Sequence, residues 1–385
     1  MEHANVLCAA AVFQTHADFY SSYGNETRGV VVFDENCVDV LLEPITTTAK
    51  KWLAWVEMIR TWKQSAQIAP FLGLGNWLAK IEQEFLQATG ADGKELKFLP
   101  YPVPQHLHTP GIKANPGLMK WLDSRAYRAA HRHVTNLYRA ALHLLAAPDA
   151  YVLLERVKTG EGHIVNVRFR KSNPLPADKE VFILDATANE ELVRALAPGW
   201  EIKVWECPPI EQQGRIIQIM DYDISRKRIK RELAINKPNN PSWLVQVLDF
   251  LLERYGPAAL ITFKKFIDKP GAEEDILGQL RFRDLILGLH NFPCRGHTFD
   301  AETLIVLGTP YKDQASVWEL ALALWGFSQL PRTQYAHRIR ENGYFMAANM
   351  AYGEEHLRPI QDFLVTAELV QAVGRIWPTT TCCKG

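Results

Sequence analysis

Two adjacent carboxylates, Asp34 and Glu35, directly follow the apolar run Val30–Phe33. The run is rich in β-branched residues, which predicts a strand buried on both faces of a parallel sheet. Open α/β sheets bind their ligands at the carboxyl ends of such strands. One carboxylate of the pair could hold a cation that bridges phosphates, while its neighbour orients a water molecule. An acidic turn at the end of a strand explains the pattern equally well.

Further polar and charged residues stand at the ends of other predicted elements. They form the blocks Asp185-Ala186-Thr187-Ala188, Arg295-Gly296 with Leu307-Gly308-Thr309-Pro310, and Gln371-Ala372-Val373-Gly374-Arg375. Taken singly, each block has an ordinary structural explanation. Asp185 could be a helix N-cap, Arg295-Gly296 a turn, and Gly374-Arg375 a helix C-cap with a favourable cation.

The strongest local cluster of positive charge is Arg226-Lys227-Arg228 with Lys230-Arg231. A second group of cations lies on a long helix predicted over Leu118–Ala147 and includes Arg125, Arg128 and Arg132. Clustered cations can contact the phosphates of a nucleic acid, which makes binding depend on salt. A solvated helix face that only keeps the protein soluble is an equal alternative.

The composition is that of an ordinary globular protein. Of 385 residues, 47% are hydrophobic and 22% are charged, and 43 basic residues balance 43 acidic ones. Only a local patch could therefore attract a polyanion. The six cysteines show no paired spacing, which argues against a disulfide framework or a zinc site. Because no apolar run reaches membrane-spanning length and Met1-Glu2-His3 lacks the positive charge of a signal peptide, we expect a cytoplasmic protein.

Hydrophobic periodicity predicts an α/β body with a helical insertion. Residues 1–49 and 151–197 should form a first α/β domain, interrupted by a mainly helical segment at 50–150. A β-hairpin is expected at Tyr151–Arg170, with its turn at Thr159–Gly162. Residues 198–385 alternate strands and helices as in a second parallel-sheet domain. Its predicted elements are the strands Glu201–Trp205, Arg215–Met220, Ala258–Phe263 and Thr303–Leu307 and the helices Trp243–Tyr255, Ser316–Gly326 and His356–Val373.

Asp34-Glu35 and the later blocks occur in an order that resembles superfamily two helicases. The resemblance is strongest to the DinG/XPD-like (DEAH-type) branch and related helicases of plasmids and mobile elements. It covers nearly the whole chain, with its strong matches at the short blocks. It implies an α/β fold with two RecA-like parallel-sheet domains, the first of them incomplete, and a helical insertion. In that family ATP binds between the two domains, and nucleic acid crosses both.

The resemblance also implies roles for individual residues. By this resemblance, Asp34 holds magnesium and Glu35 orients the attacking water, as catalysis of phosphoryl transfer requires. Gln371 and Arg375 match the final motif, whose arginine stabilises charge that develops on the γ-phosphate. The residues implied to contact nucleic acid and to couple hydrolysis to strand movement are Asp185, Thr187, Arg295 and Gly296. Arg226 and Arg228 of the basic run are further candidates for contacts with nucleic acid.

The chain departs from the family pattern in three ways. No Gly-x-x-x-x-Gly-Lys-Ser/Thr loop occurs in the sequence, and the nearest stretch, Gly90–Glu95, lacks both the spacing and the hydroxyl. Cys37 stands in place of the family's histidine, and Trp377 and Pro378 stand where a second arginine is common. We therefore expect a fragment, one half of a split helicase or a degenerate homologue, which alone hydrolyses ATP poorly or not at all.

The sequence thus predicts the latter part of an ATP-dependent superfamily two DNA helicase or translocase. The expected cofactors are ATP and magnesium. The expected partners are single-stranded or forked DNA and a P-loop-bearing segment, which a separate polypeptide could supply. The alternative is a non-catalytic, helicase-derived module for nucleic-acid binding or assembly, and a third option is a RecA-like ATPase that acts on protein. The helicase and the module differ in whether strand binding depends on nucleotide.

Overall fold

The structure is a computed structural model that describes residues 30–34, 38–62, 68–90, 92–129, 133–160, 162–173, 180–184, 189–205, 215–217, 219, 224–268, 274–292, 299–310, 312–326, 336–341, 346–351 and 357–374. For residues 34, 40, 123–129, 133–136, 336–341 and 346–351 it describes the backbone alone. The fold is mixed α/β, as the sequence predicted, with parallel and antiparallel sheets. The chain forms two compact units, one of residues 1–203 and 313–333 and one of residues 204–312 and 334–385.

The described helices and strands alternate irregularly along the chain. In chain order they are β1 (Val30–Asp34), α1 (Val38–Leu41), β2 (Leu42–Thr48), α2 (Ala49–Arg60), α3 (Ala69–Gln87), β3 (Phe98–Pro102), α4 (Pro116–Ala129), α5 (His133–Ala146), β4 (Tyr151–Thr159), β5 (Gly162–Ser172), β6 (Glu180–Leu184), α6 (Glu190–Leu196), α7 (Arg226–Ile235), α8 (Trp243–Tyr255), β7 (Ala258–Thr262), β8 (Ile286–Asn291), β9 (Thr303–Val306), α9 (Gln314–Trp325), β10 (Ala336–Glu341), β11 (Met346–Ala351) and α10 (Leu357–Val373). Strands β10 and β11 form an antiparallel pair.

The first unit contains an antiparallel sheet with the strand order β2-β5-β4-β3. Strands β4 and β5 form the predicted hairpin, and Thr159 pairs with Gly162 at its turn. Side chains of β5 alternate between two faces, because successive residues of a strand point to opposite sides. Val167 and Phe169 are buried in a core with helices α2, α3 and α5. Arg168 and Arg170, which alternate with them, lie on the face that α9 covers.

Helix α2 begins where the hydroxyl of Thr48 accepts a hydrogen bond from the backbone N–H of Lys51 at 3.2 Å. Its apolar stripe is buried, as helical spacing predicts. The Trp52 ring meets the ring of Trp55 at 5.8 Å and that of Phe169 at 6.1 Å between centroids, both edge to face. Aromatic packing of this kind fixes α2 against β5.

Strands β1 and β6 form a separate parallel pair in the first unit. The prediction that Val30–Phe33 is buried on both faces is wrong for the described residues. Val31 and Phe33 pack toward Leu41 and Leu196, whereas Val30 and Val32 are 46% and 51% exposed. The physical reason is that, among the described residues, apolar side chains cover only one face of the pair.

The second unit is built on a parallel sheet with the order β8-β7-β9. The central strand β7 is buried along its whole length. Leu260 packs into a core with α7 and α8, and Ile261 packs on the opposite face against Ala372 of α10. A buried central strand with helices on both faces is the arrangement expected of a parallel sheet.

Most predicted elements of the second half are present, but two strands are not. Residues 201–205 and the described part of 215–220 form no strand. Trp205 and Ile216 are 75% and 64% exposed, and none of the described strands pairs with these residues, so their β propensity alone did not produce a sheet. The predicted helix Ser316–Gly326 is α9. It belongs to the first unit, although the chain segments before residue 313 and after residue 333 belong to the second unit.

The buried imidazole of His143 should make the stability of the protein depend on pH. Its ring stacks on Phe169 with 6.4 Å between centroids. Burial, with a smaller contribution from the charge of Lys171, lowers the pKa of His143 from 6.5 to about 4. Below pH 6.5 the unfolded chain therefore binds a proton that the folded chain does not. The free energy of unfolding should fall by up to about 3 kcal/mol as the pH drops from 6.5 to 4, and this contribution is constant above 6.5.

Urea unfolding at a series of pH values checks this prediction by comparing the wild type with His143→Leu. The variant should lose that share of the pH dependence. His163→Leu, which changes an exposed histidine at the tip of the β4–β5 hairpin, is the control and should keep it. Equal pH slopes for the wild type and His143→Leu would contradict the prediction.

Candidate functional site

The first candidate site lies at the carboxyl ends of β1 and β6. The two strands are parallel, and Asp34 pairs in register with Leu184, the residue before Asp185. The acidic motif and the Asp-Ala-Thr-Ala block therefore follow neighbouring strands that end at the same edge of a sheet. Glu35, Asp185 and Thr187 lie outside the described residues, and only the backbone of Asp34 is described.

Of the other residues predicted from the resemblance, some are described and others are not. Arg295, Gly296 and Arg375 lie outside the described residues. Gln371 is half-buried in the last turn of α10, next to Ala372, which packs on Ile261 of β7. Helix α10 therefore packs directly on the second parallel sheet through Ala372, the residue next to the predicted catalytic residue Gln371.

The second candidate site is the carboxyl edge of the β8-β7-β9 sheet. At this edge the Leu307 N–H donates to the Ile261 carbonyl at 2.8 Å, and the Phe292 N–H donates to the Thr262 carbonyl at 3.0 Å. The Thr262 hydroxyl ends the central strand, is fully buried and has no hydrogen-bond partner among the described residues. Because buried hydroxyls are normally paired, this edge holds an unused polar group.

Gly308 follows β9 at this edge and brings the chain close to an aromatic ring. Its φ is +99°, a conformation that favours glycine. A Cβ atom at this position would lie 2.5 Å from the Phe263 ring and 3.4 Å from the Ile224 carbonyl oxygen. The Gly-Thr-Pro block, the residue after β7 and the start of α7 therefore meet at one place.

Helix α7 presents its positive charge beside this edge. Its N-cap is Ser225, whose hydroxyl accepts a hydrogen bond from the Arg228 N–H at 3.3 Å. The Arg226 guanidinium then lies over the Phe263 ring, 4.8 Å from the centroid, as in a cation–π contact. The first turn of α7 is thereby tied to the residue that follows β7.

Lys264 and Lys265, which directly follow Phe263, extend the positive charge of α7. Lys230 and Lys265 share the carboxylate of Glu274 at 3.0 and 2.7 Å. Hydrogen bonds from the two ammonium groups hold the pKa of Glu274 below its usual value. We call the exposed cations of this region the basic surface: Arg226, Lys227, Lys230, Arg231, Lys264 and Lys265.

The basic surface differs from the sequence prediction at two places. Lys264 and Lys265 were missed, although their position directly after the central strand β7 was a readable signal. Arg228, a predicted contact for nucleic acid, is half-buried and pairs with the buried carboxylate of Glu232 at 3.0 Å. Since a buried carboxylate needs a partner, Arg228 serves the packing of α7.

A further cluster of charged groups, which we call the charge network, joins α9 to β5 in the first unit. The Arg168 guanidinium donates to Glu319 at 2.8 Å, to Asp313 at 3.2 Å and to the Ser316 hydroxyl at 2.8 Å. It also donates to Glu155 of β4 at 3.1 Å. The sequence patterns did not predict this cluster.

Glu319 is the centre of the charge network and is 1% exposed. Arg170 lies 3.4 Å from its second carboxylate oxygen, and the Tyr151 hydroxyl donates to its backbone carbonyl at 2.6 Å. Burial raises the pKa of the Glu319 carboxyl, while the guanidinium groups of Arg170 and Arg168 act in the opposite direction. This arrangement fixes α9 on the sheet, and its most exposed carboxylate, Asp313, already accepts hydrogen bonds from Arg168 and Ser316.

In the part of the chain that the structure describes, no group of three or more His, Cys, Asp or Glu side chains could hold a metal ion. None of the described helices has the length and apolar character needed to cross a membrane. No protein-family model matches the chain, and no match was found among curated proteins. Function must therefore be inferred from the chain's own residues.

Because Gly308 lies so close to the Phe263 ring, adding one methyl group at this position should lower the stability of the protein strongly. Gly308→Ala should cost about 1–2 kcal/mol for the backbone conformation and about 1–3 kcal/mol more for displacing the Phe263 ring. Gly256→Ala is a matched control in the same unit, because Gly256 has φ +76° and nothing within 4 Å of an added Cβ. Urea unfolding followed by circular dichroism should show the larger loss of stability for Gly308→Ala. Equal losses would mean that the ring yields freely.

Proposed function

We propose that this chain is part of an ATP-dependent superfamily two DNA helicase or translocase with two RecA-like domains. The single observation that carries the proposal is the parallel register of Asp34 and Leu184. It agrees with two predicted ATP-linked motifs that act at one edge of a sheet, where parallel sheets bind ligands. The Gly-Thr-Pro block adds support, because it leaves the second parallel sheet at the equivalent edge.

In this proposal, the four predicted catalytic residues serve the nucleotide. Asp34 holds magnesium and Glu35 orients water, while Gln371 and Arg375 act on the γ-phosphate. Magnesium held by Asp34 would neutralise negative charge on the phosphates. The sequence contains no Gly-x-x-x-x-Gly-Lys-Ser/Thr loop. Hydrolysis therefore requires a phosphate-binding loop supplied from elsewhere, such as a P-loop-bearing polypeptide.

A titration with a fluorescent ATP analogue and magnesium tests the nucleotide part of the proposal. We expect saturable binding that Asp34→Asn and Arg375→Ala each weaken about tenfold or more, because each removes a charge that acts on the phosphates or their metal ion. Asp149→Asn, at an exposed turn, is the matched control and should bind as the wild type does. Absent binding, or binding that neither variant changes, would remove the nucleotide from the proposal.

The second candidate function is a non-catalytic module that binds nucleic acid. The observation that favours it is the basic surface, because its cations cluster beside the carboxyl edge of the second sheet. In the described part of the chain, the carboxylates that form ion pairs with these cations are Asp268 and Glu274. The remaining positive charge suits the phosphate backbone of a single strand. In the helicase proposal the same surface is the track for DNA.

Charge reversal tests the basic surface with a single-stranded oligonucleotide. Arg226, Lys227 and Arg231 are changed together to Glu, and Arg228 is left intact because it pairs with Glu232. We expect affinity to fall at least about tenfold. The slope of log affinity against log salt should shrink by about 2, or roughly 0.7 for each phosphate that is no longer neutralised.

The matched control reverses three exposed lysines of the first unit, Lys50, Lys51 and Lys158. This variant has the same net charge as the triple reversal, so a general charge effect would weaken both equally. Loss of binding in the first variant alone supports the basic surface. Strand affinity that changes with the ATP analogue favours the helicase, and affinity that ignores it favours the module.

A further inference from the structure

Two lysines of the basic surface hold the same carboxylate. The Lys230 ammonium group of α7 lies 3.0 Å from one oxygen of Glu274, and the Lys265 ammonium group lies 2.7 Å from the other oxygen. The hydrogen bond with Glu274 raises the pKa of Lys230. All three residues belong to the second unit. Two cations that converge on one carboxylate form a site for a single anion.

The backbone that carries Glu274 is fixed beside the second of these lysines. Two residues after Glu274, the Ile276 N–H donates to the Phe266 carbonyl at 3.1 Å, and the Ile276 side chain is fully buried. The carboxylate of Asp275, between them, is also buried and accepts a backbone N–H two residues later at 3.1 Å. Because Phe266 directly follows Lys265, the same contacts place Glu274 next to that lysine.

The ion pairs of Glu274 contribute little to the stability of the fold. The side chains of Lys230 and Lys265 are 56% and 51% exposed, and that of Glu274 is 25% exposed. Ion pairs between exposed groups are weak because water and salt screen them. The neighbouring pair of Arg228 and Glu232 differs, since its carboxylate is buried and would be costly to leave unpaired. The Glu274 carboxylate is therefore well positioned but weakly bound, so another anion can replace it.

We propose that Lys230 and Lys265 form a binding site for one phosphate of a nucleic-acid strand, and that Glu274 occupies this site as an internal competitor. A backbone phosphate, like a carboxylate, presents anionic oxygens to the cations around it. Because Glu274 belongs to the same chain, its effective concentration at the two lysines does not depend on the protein concentration. Glu274 therefore lowers the affinity of the basic surface for the strand.

This inference rests on the proposal that the basic surface binds nucleic acid, and it adds a residue with the opposite effect. Removing a cation from the basic surface should weaken strand binding, whereas removing the charge of Glu274 should strengthen it. A strand that also binds the other cations of the surface can displace Glu274 from the two lysines. The carboxylate thus sets how many phosphates a ligand must offer before it binds.

A titration of the full chain with a fluorescent single-stranded oligonucleotide tests the competitor. Glu274→Gln keeps the size of the side chain and removes its charge. We expect affinity to rise at least about threefold, and the slope of log affinity against log salt to grow by up to about 1.4, or roughly 0.7 for each released lysine. Glu253→Gln removes an exposed carboxylate of α8 that has no ion pair with the basic surface among the described residues. It makes the same change in net charge and should bind as the wild type does.

A double-mutant cycle separates the two-lysine site from a general effect of charge. When Lys230 and Lys265 are both changed to Met, Glu274→Gln should lose most of its effect on affinity, because the groups for which Glu274 competes are gone. Equal gains in affinity with and without the two lysines would overturn the inference. Unchanged affinity in Glu274→Gln would overturn it as well.

The triple reversal of Arg226, Lys227 and Arg231, measured beside these variants, distinguishes this inference from the proposed function. If the reversal weakens binding but Glu274→Gln does not strengthen it, the basic surface is supported and the competitor is overturned. If only Glu274→Gln changes affinity, and does so through the two lysines, the two-lysine site is supported and the wider basic surface is not. Absence of strand binding by both the wild type and Glu274→Gln would overturn both proposals.

Discussion

The first unit depends on one carboxylate, Glu319, that is buried between two guanidinium groups. Removing charges from water is costly, and the cost is offset only when the geometry pairs them well. Arg168 pairs with Glu319 through a hydrogen bond, and Arg170 adds an ion pair at 3.4 Å that is not a hydrogen bond. Both arginines lie at alternate positions of β5, on the face that points away from the aromatic core. Apolar packing would tolerate a shift of α9 along the sheet, whereas a buried ion triad would lose about 3–5 kcal/mol if one partner moved away. The triad thus gives α9 a single register.

The two parallel sheets share a different constraint. A parallel strand uses its side chains for packing, as β7 does along its whole length, so polar chemistry is possible only where strands end. Asp34 ends β1, the unpaired hydroxyl of Thr262 ends β7, and Gly308 follows β9. The described residues that the proposal assigns to the nucleotide, Asp34 and Gln371, thus lie at a strand end or on a helix that packs beside one. The basic surface fits this rule through the contact of Arg226 with Phe263.

Local sequence patterns predicted the helices and strands well but predicted poorly which residues contact one another. Helix α8 was predicted with its observed bounds, because an apolar stripe is followed by Gly256, which ends the helix with φ +76°. Strand β8 was missed because Gly288 and His290 interrupt its apolar character. The sequence did indicate that Arg228 pairs within its helix, because Glu232 stands four residues later on the same helix face. The sequence could not show which face of β1 is buried, because that depends on which other side chains cover each face.

Glu319 and Arg168 are 151 residues apart, and no local pattern could connect them. Their pairing means that the first unit is not simply the first part of the chain. Without α9, Arg168 and Arg170 would be left on β5 with fewer carboxylates, and the Tyr151 hydroxyl would lose its acceptor. An uncompensated buried guanidinium is unfavourable, so a chain that ended before Asp313 would have to expose or rearrange this face of the sheet. The first unit therefore needs α9 to complete its fold, and α9 follows most of the second unit in the sequence.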